Sequence, residues 1–225
     1  MILTLIVIFS TLFVVTHLGL SHGTIRENLV AKLGLWPFRG VYSVVSFLTL
    51  GPAAVIWWQN RHLGPVLWDL GPWVERGIAL VLMLIAIELL VLMLGDPSPA
   101  SMIPGNNEPR GILRVTRHPM NMGLAGFGLA HILANGAVGD IAFFGSFLVL
   151  GAVGPFHLDA RLKRTRGETF VEFCRQTSVI PFVAIARGRT TFRADEISFP
   201  LFVIGIVIYI ALVVYHGRLF GADIF

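Results

Sequence analysis

Six times along this chain a block of about twenty almost wholly apolar residues recurs, at 2–20, 40–58, 77–95, 119–135, 138–157 and 198–216. A hydrocarbon layer of ~30 Å is crossed by about 20 residues of helix, and a backbone in lipid must satisfy its own hydrogen bonds. The expected fold is therefore all-α, an integral membrane bundle of about six transmembrane helices forming one domain over 1–225. The fourth block is short and holds Asn121 and several glycines, which suits a tilted helix or one packed inside the bundle. Met1 to Leu20 has neither the basic start nor the small-residue cleavage site of a secretion signal, so it reads as a retained first helix. With 55% hydrophobic and 13% charged residues, the chain has too little polar surface for a soluble domain.

The basic residues set an orientation. The stretches 21–39, 96–118 and 159–197 hold Arg26, Lys32, Arg39, Arg110, Arg114, Arg117, Arg161, Lys163, Arg164, Arg166, Arg175, Arg187, Arg189 and Arg193. The alternate loops and the C-terminal end hold Arg61, Arg76 and Arg218 alone. Cytoplasmic loops are enriched in Lys and Arg, so both termini are expected outside the cytoplasm. Trp57, Trp58, Trp68 and Trp73 surround the loop between the second and third blocks, as an aromatic interface belt would. Because the basic residues lie between spans and form no patch interleaved with stacking aromatics, nucleic acid is excluded as a partner. Membrane lipid is expected instead. Cys174 is the only cysteine, so no internal disulfide and no thiolate cluster can form.

Two connecting segments stand out. In DPSPASMIPGNNEPRG, Pro97, Pro99, Pro104 and Pro109 rule out a regular helix and predict a loop able to lie over a site. The segment 158–177 sets Leu158, Leu162, Phe170, Phe173 and Cys174 among basic residues, which predicts an amphipathic helix lying on an anionic leaflet, although Gly167 interrupts it.

Candidate chemistry begins with Glu88, near the middle of the third block. There an ionised carboxylate costs several kcal/mol, so the group is either functional or a neutral acid hydrogen-bonded for packing. Six of the seven histidines (His17, His22, His118, His131, His157 and His216) fall within or at the ends of blocks, and neutral imidazole is a good ligand for haem iron. His118 and His131, thirteen residues apart on one helix, stand ~20 Å apart along its axis and cannot share an iron. Thr116-Arg117-His118-Pro119 opens the fourth block. Proline suits a first helical turn and keeps His118 extended before it, so a helix start, a guanidinium and an imidazole converge at the basic face. That corner is either a site for a carboxylate or phosphate group or a positive anchor.

The segments HLGLSHGTIRENLVAKLG (17–34), RGVYSVVS (39–46), TRHPMNMGLAGFGLAHIL (116–133), DARLKRTRGETFVEFCRQTSVIPFVAIARGR (159–189) and HGRLFG (216–221) resemble the NnrU family of bacterial membrane proteins. That family also contains the plant and algal 15-cis-zeta-carotene isomerase. The resemblance implies a multi-pass protein of the bacterial inner membrane with one of two functions. The first is redox-dependent isomerase chemistry on a lipophilic substrate such as a carotenoid, with haem b and a redox partner. The second is a non-enzymatic accessory role in denitrification. The haem ligands carried over by motif are His131 and either His17 or His22; the isomerase's alternative cysteine ligand, three residues before the LAH histidine, is Gly128 here. Arg117, His118 and Glu88 are the candidate catalytic residues, and Arg117 and His118 also the candidate cofactor-binding pair. The RHP corner also resembles S-adenosylmethionine-dependent membrane methyltransferases, whose acidic pair is replaced here by Asp159, Ala160 and Arg161.

Overall fold

A computed structural model describes residues 1–101, 105 and 107–221, and among these the chain is all-helical, with one isolated bridge between Val66 and Ala137. The helices are α1 (Ile2–Ser21), α2 (Gly23–Leu33), α3 (Leu35–Gln59), α4 (Pro72–Leu92), α5 (Ile112–Val115), α6 (Pro119–Ala134), α7 (Val138–Arg166), α8 (Glu168–Gln176), α9 (Val183–Ala186) and α10 (Phe199–Phe220). Among the described residues, α1, α3, α7 and α10 are long and apolar enough to cross a membrane. The other two expected blocks are α4, with 21 residues, and α6, with 16. Phe47 and Leu48 on α3 and Val214 on α10 are 76%, 65% and 66% exposed, an apolar exterior that water would not tolerate over this extent.

The fourth block is the centre of the bundle. Pro119 starts α6, Asn135 ends it, and a three-residue connection turns the chain back into α7. Glycines let its neighbours approach: a Cβ on Gly128 would stand 2.6 Å from Leu148 N and 2.7 Å from Phe144 O. A cysteine at 128 is therefore excluded by the packing as well as by the sequence. Ile6, Ala53, Ile132, Phe143 and Phe144 form the core between α1, α3, α6 and α7. Outside them, α10 lies along α4. Its last turn is fastened to the loop after α3, where Arg61 Nη1 donates to the Phe220 carbonyl and Trp58 meets the Phe220 ring.

Three expectations change. The segment 158–177 is not one surface helix: α7 runs on to Arg166, Gly167 breaks it at φ +63°, and α8 follows. Nor do its aromatics face a leaflet, because Phe170 and Phe173 are buried against Leu113 and Leu162. The tryptophans form a belt only in part. Trp73 is exposed, but Trp57 donates to Asp140 and stacks on Phe143 at 4.6 Å, and Trp68 donates to the Ile132 carbonyl. Glu88 sits one turn before the end of α4 rather than near mid-helix, because that helix stops at Leu92. Of the loop prolines, Pro97, Pro99 and Pro109 lie outside helices, while Pro104 is not among the described residues.

Candidate functional site

The end of the bundle that carries most of the basic residues is organised around Asp159, on the last third of α7. Arg117 donates to its Oδ2 from Nε at 2.9 Å and from Nη2 at 2.5 Å, while His118 Nε2 donates to Oδ1 at 2.8 Å. His118 and Asp159 are buried, His118 at 2% exposure, and Arg117 is largely covered. Proline at 119 explains the local geometry. It starts α6 and leaves His118 unable to continue a helix backwards, so the imidazole swings toward α7.

The surrounding loops hold Arg117 in place. Its Nη1 donates to the Thr177 carbonyl, its backbone N–H to the Ser178 carbonyl, and its own carbonyl accepts from Ser98 Oγ at 2.7 Å. Ser98, Ala100 and Ser101 of the Pro-rich loop therefore lie over the corner, and with His118, Pro119, Met120 and Asn121 they line a cavity of about 10 Å³, room for one water. Cys174 lies near Arg117 and Asp159, and burial pushes its thiol above the ordinary range. The anion that the Arg117–His118 corner attracts is thus supplied by the chain itself. Arg117 and His118 come together with Asp159, whereas Glu88 makes no contact with that trio and faces α10 instead.

There the carboxylate of Glu88 abuts Gly205: a Cβ at 205 would stand 2.5 Å from Oε1. Both carboxylate oxygens are shielded and have no hydrogen-bond partner among the described residues.

The histidines carried over as iron ligands are not brought together. His17 bonds Ser46 Oγ and packs on Tyr42, between α1 and α3. His131 donates from Nδ1 to the Phe127 carbonyl and stacks on Phe144 at 4.3 Å. Between those two histidines stand the rings of Phe13, Phe147 and Phe127. His22 instead faces His157, with ring centroids 5.7 Å apart, and His157 lies thirteen residues along α7 from Phe144, ~20 Å of helix. That length of helix separates His22 from His131, and no group of three or more metal-ligating side chains occurs among the described residues.

Sequence reasoning missed a further cluster at the opposite end. Asp140, wholly buried at the start of α7, accepts from Trp57 Nε1 at 2.7 Å and from His62 Nδ1 at 2.9 Å, with His62 in the left-handed region. Its signal was an aspartate at the edge of an apolar block, which needs partners wherever the helix is buried.

A polytopic helical protein with an apolar exterior and a buried Arg–His–Asp latch at its basic end is a membrane-protein class. The sequence profile of the family described as NnrU protein matches residues 4–224, so the chain belongs to the NnrU family. It is 28% identical over 195 residues to the 15-cis-zeta-carotene isomerase, chloroplastic, of Arabidopsis thaliana, covering 82% of this chain and 51% of that protein. The Zea mays protein of the same name is 27% identical over 198 residues, covering 84% and 52%. The chain thus spans about half the length of these relatives. No solved structure matches it.

Proposed function

We propose that this chain is a six-span protein of a bacterial inner membrane, with α4 and α6 also crossing and both termini outside the cytoplasm, and that it performs isomerase-type chemistry on a lipophilic substrate such as a carotenoid. The family membership and the two isomerase relatives support the reaction class. The observation that carries the choice of reacting group is Glu88, an acid with no partner on a face shared with a lipid-exposed helix. Intramembrane ionisable groups without a structural partner are functional by default.

A carboxylic acid is sufficient for cis–trans isomerisation of a conjugated chain. Once α10 moves aside at Gly205 to admit the substrate, Glu88 transfers its proton to one polyene carbon, leaving a delocalised carbocation and a carboxylate. The bond that has lost double-bond character rotates. The carboxylate then takes a proton from that carbon, either the one delivered or the one already there, restoring both the polyene and the acid, so that turnover in D₂O leaves deuterium in part of the product. Atoms and electrons balance without an oxidant, so this route needs no redox partner. This chain's own residues carry every step of the route, and none passes through haem b.

The test is incubation of the purified chain in nanodiscs with 15-cis-zeta-carotene in D₂O, with isomers separated by chromatography. Wild type should form the trans isomer and gain deuterium, and Glu88→Gln should lose at least a hundredfold in rate. Isomerisation by Glu88→Gln at the wild-type rate would place the chemistry elsewhere.

A further inference from the structure

The junction of α1 and α2 holds a second polar pocket that the latch does not use. It has a volume of about 230 Å³ and is lined by His22, Gly23, Phe156, His157, Ala160, Arg161 and Arg164. The two imidazoles meet edge to face, and His157 Nδ1 is buried with no hydrogen-bond partner among the described residues. Arg164 is steadied from behind by Glu27 at 3.0 Å. It can fold over the start of α2 only because residue 23 is glycine, since a Cβ there would stand 1.9 Å from Nη2. Arg161 is half-buried one turn from His157, and Arg26 lies close enough to repel it.

We infer that this pocket binds the phosphate group of an anionic ligand. Two guanidiniums repel a metal ion; the Glu27 carboxylate that partly balances them stands behind Arg164, and the lining itself holds no carboxylate or thiolate to ligate one. The same groups offer N–H donors from several directions, joined by the first-turn N–H groups of α2. Convergence from both imidazoles and both guanidiniums matches a tetrahedral anion better than a flat carboxylate. Phe156, 59% exposed, continues the pocket onto the apolar face of α7, so a phosphate carrying acyl chains can enter from the side. This inference does not depend on the isomerase reading.

The probes are dioctanoyl phosphatidic acid, inorganic phosphate and dioctanoylglycerol, titrated against the full chain in detergent. Wild type should bind the first and not the last. Arg161→Gln with Arg164→Gln should weaken binding at least tenfold, and Gly23→Val, which displaces Arg164 without removing a charge, several-fold. Competition by inorganic phosphate identifies free phosphate as the source; its failure to compete identifies a lipid headgroup. On the wild-type chain, phosphatidic acid should also protect His22 and His157 from carbethoxylation while the exposed His62 is still modified. That measurement decides the matter even where a variant misfolds. Equal affinity of wild type and variants, or absent protection, overturns the inference. So does a Soret band in the purified protein that disappears in His157→Gln, which would assign the pair to iron.

Discussion

Arg117 and Asp159, forty-two residues apart in the chain, meet in a buried ion pair in which two guanidinium N–H groups converge on a single carboxylate oxygen. The other oxygen is left for His118, so one carboxylate ties the start of α6 to the end of α7.

Removing one partner of such a pair strands a buried charge. Asp159→Asn should therefore destabilise the protein by ~3–5 kcal/mol. Arg117→Lys, which keeps the charge but gives up the contact to the Thr177 carbonyl, should lose about half as much. Replacing both Arg117 and Asp159 by apolar residues should recover much of the loss. Thermal unfolding of the wild type and these three variants in detergent measures the losses, and a double replacement that costs as much as Asp159→Asn and Arg117→Lys together would mean that the pair is not coupled.

The loop before α10 carries the pH dependence. Glu196 takes two N–H donors from Arg114 and one from Gly111, and the Arg114 contact holds its carboxyl down at about 2. A depressed carboxyl stabilises the fold above its ordinary range and stops doing so as pH falls toward the folded value. Wild type should lose ~2–3 kcal/mol between pH 5 and pH 2 at this clasp, and Glu196→Gln should show a flatter profile with a lower plateau. Parallel profiles would remove the assignment.

How much of this was legible beforehand differs by level. Helix positions were, because lipid imposes length and apolarity on every span and Pro119 and Gly167 mark ends chemically. Partner choice was not. Nothing local in TRHP says that its anion is Asp159, and nothing in LAH says that His131 will stack on Phe144, because both are settled by how α6 sits against α7. Phe170 and Phe173 were misread for a related reason: amphipathicity gives the angle of an apolar face but not whether lipid or protein lies against it.

Packing at Gly128 gives a sharp contrast. Gly128→Cys must push two backbone atoms of α7 away from α6 and should cost ~1–3 kcal/mol, whereas Gly145→Ala, whose nearest neighbour would be 4.0 Å away, should be nearly silent. Comparable expression and melting of the two variants would show that α6 and α7 are less closely apposed than described.

Orientation is tested by moving the only thiol. With Cys174 replaced by serine, a cysteine at Arg187 should react with impermeant maleimide only in inverted vesicles, and one at Arg76 only in intact spheroplasts. Labelling of position 187 from outside would invert the topology.

The attachment of α10 to α4 has a consequence for biogenesis. α10 is translated well after α4, and the carboxylate of Glu88 is shielded by it at Gly205. A nascent chain interrupted before residue 199 would leave that acid without its α10 cover, facing acyl chains. Such an intermediate is a natural substrate for retention by insertases and for membrane proteases. A nonsense mutation late in the gene should therefore clear the whole polypeptide from the cell rather than leave a shortened one.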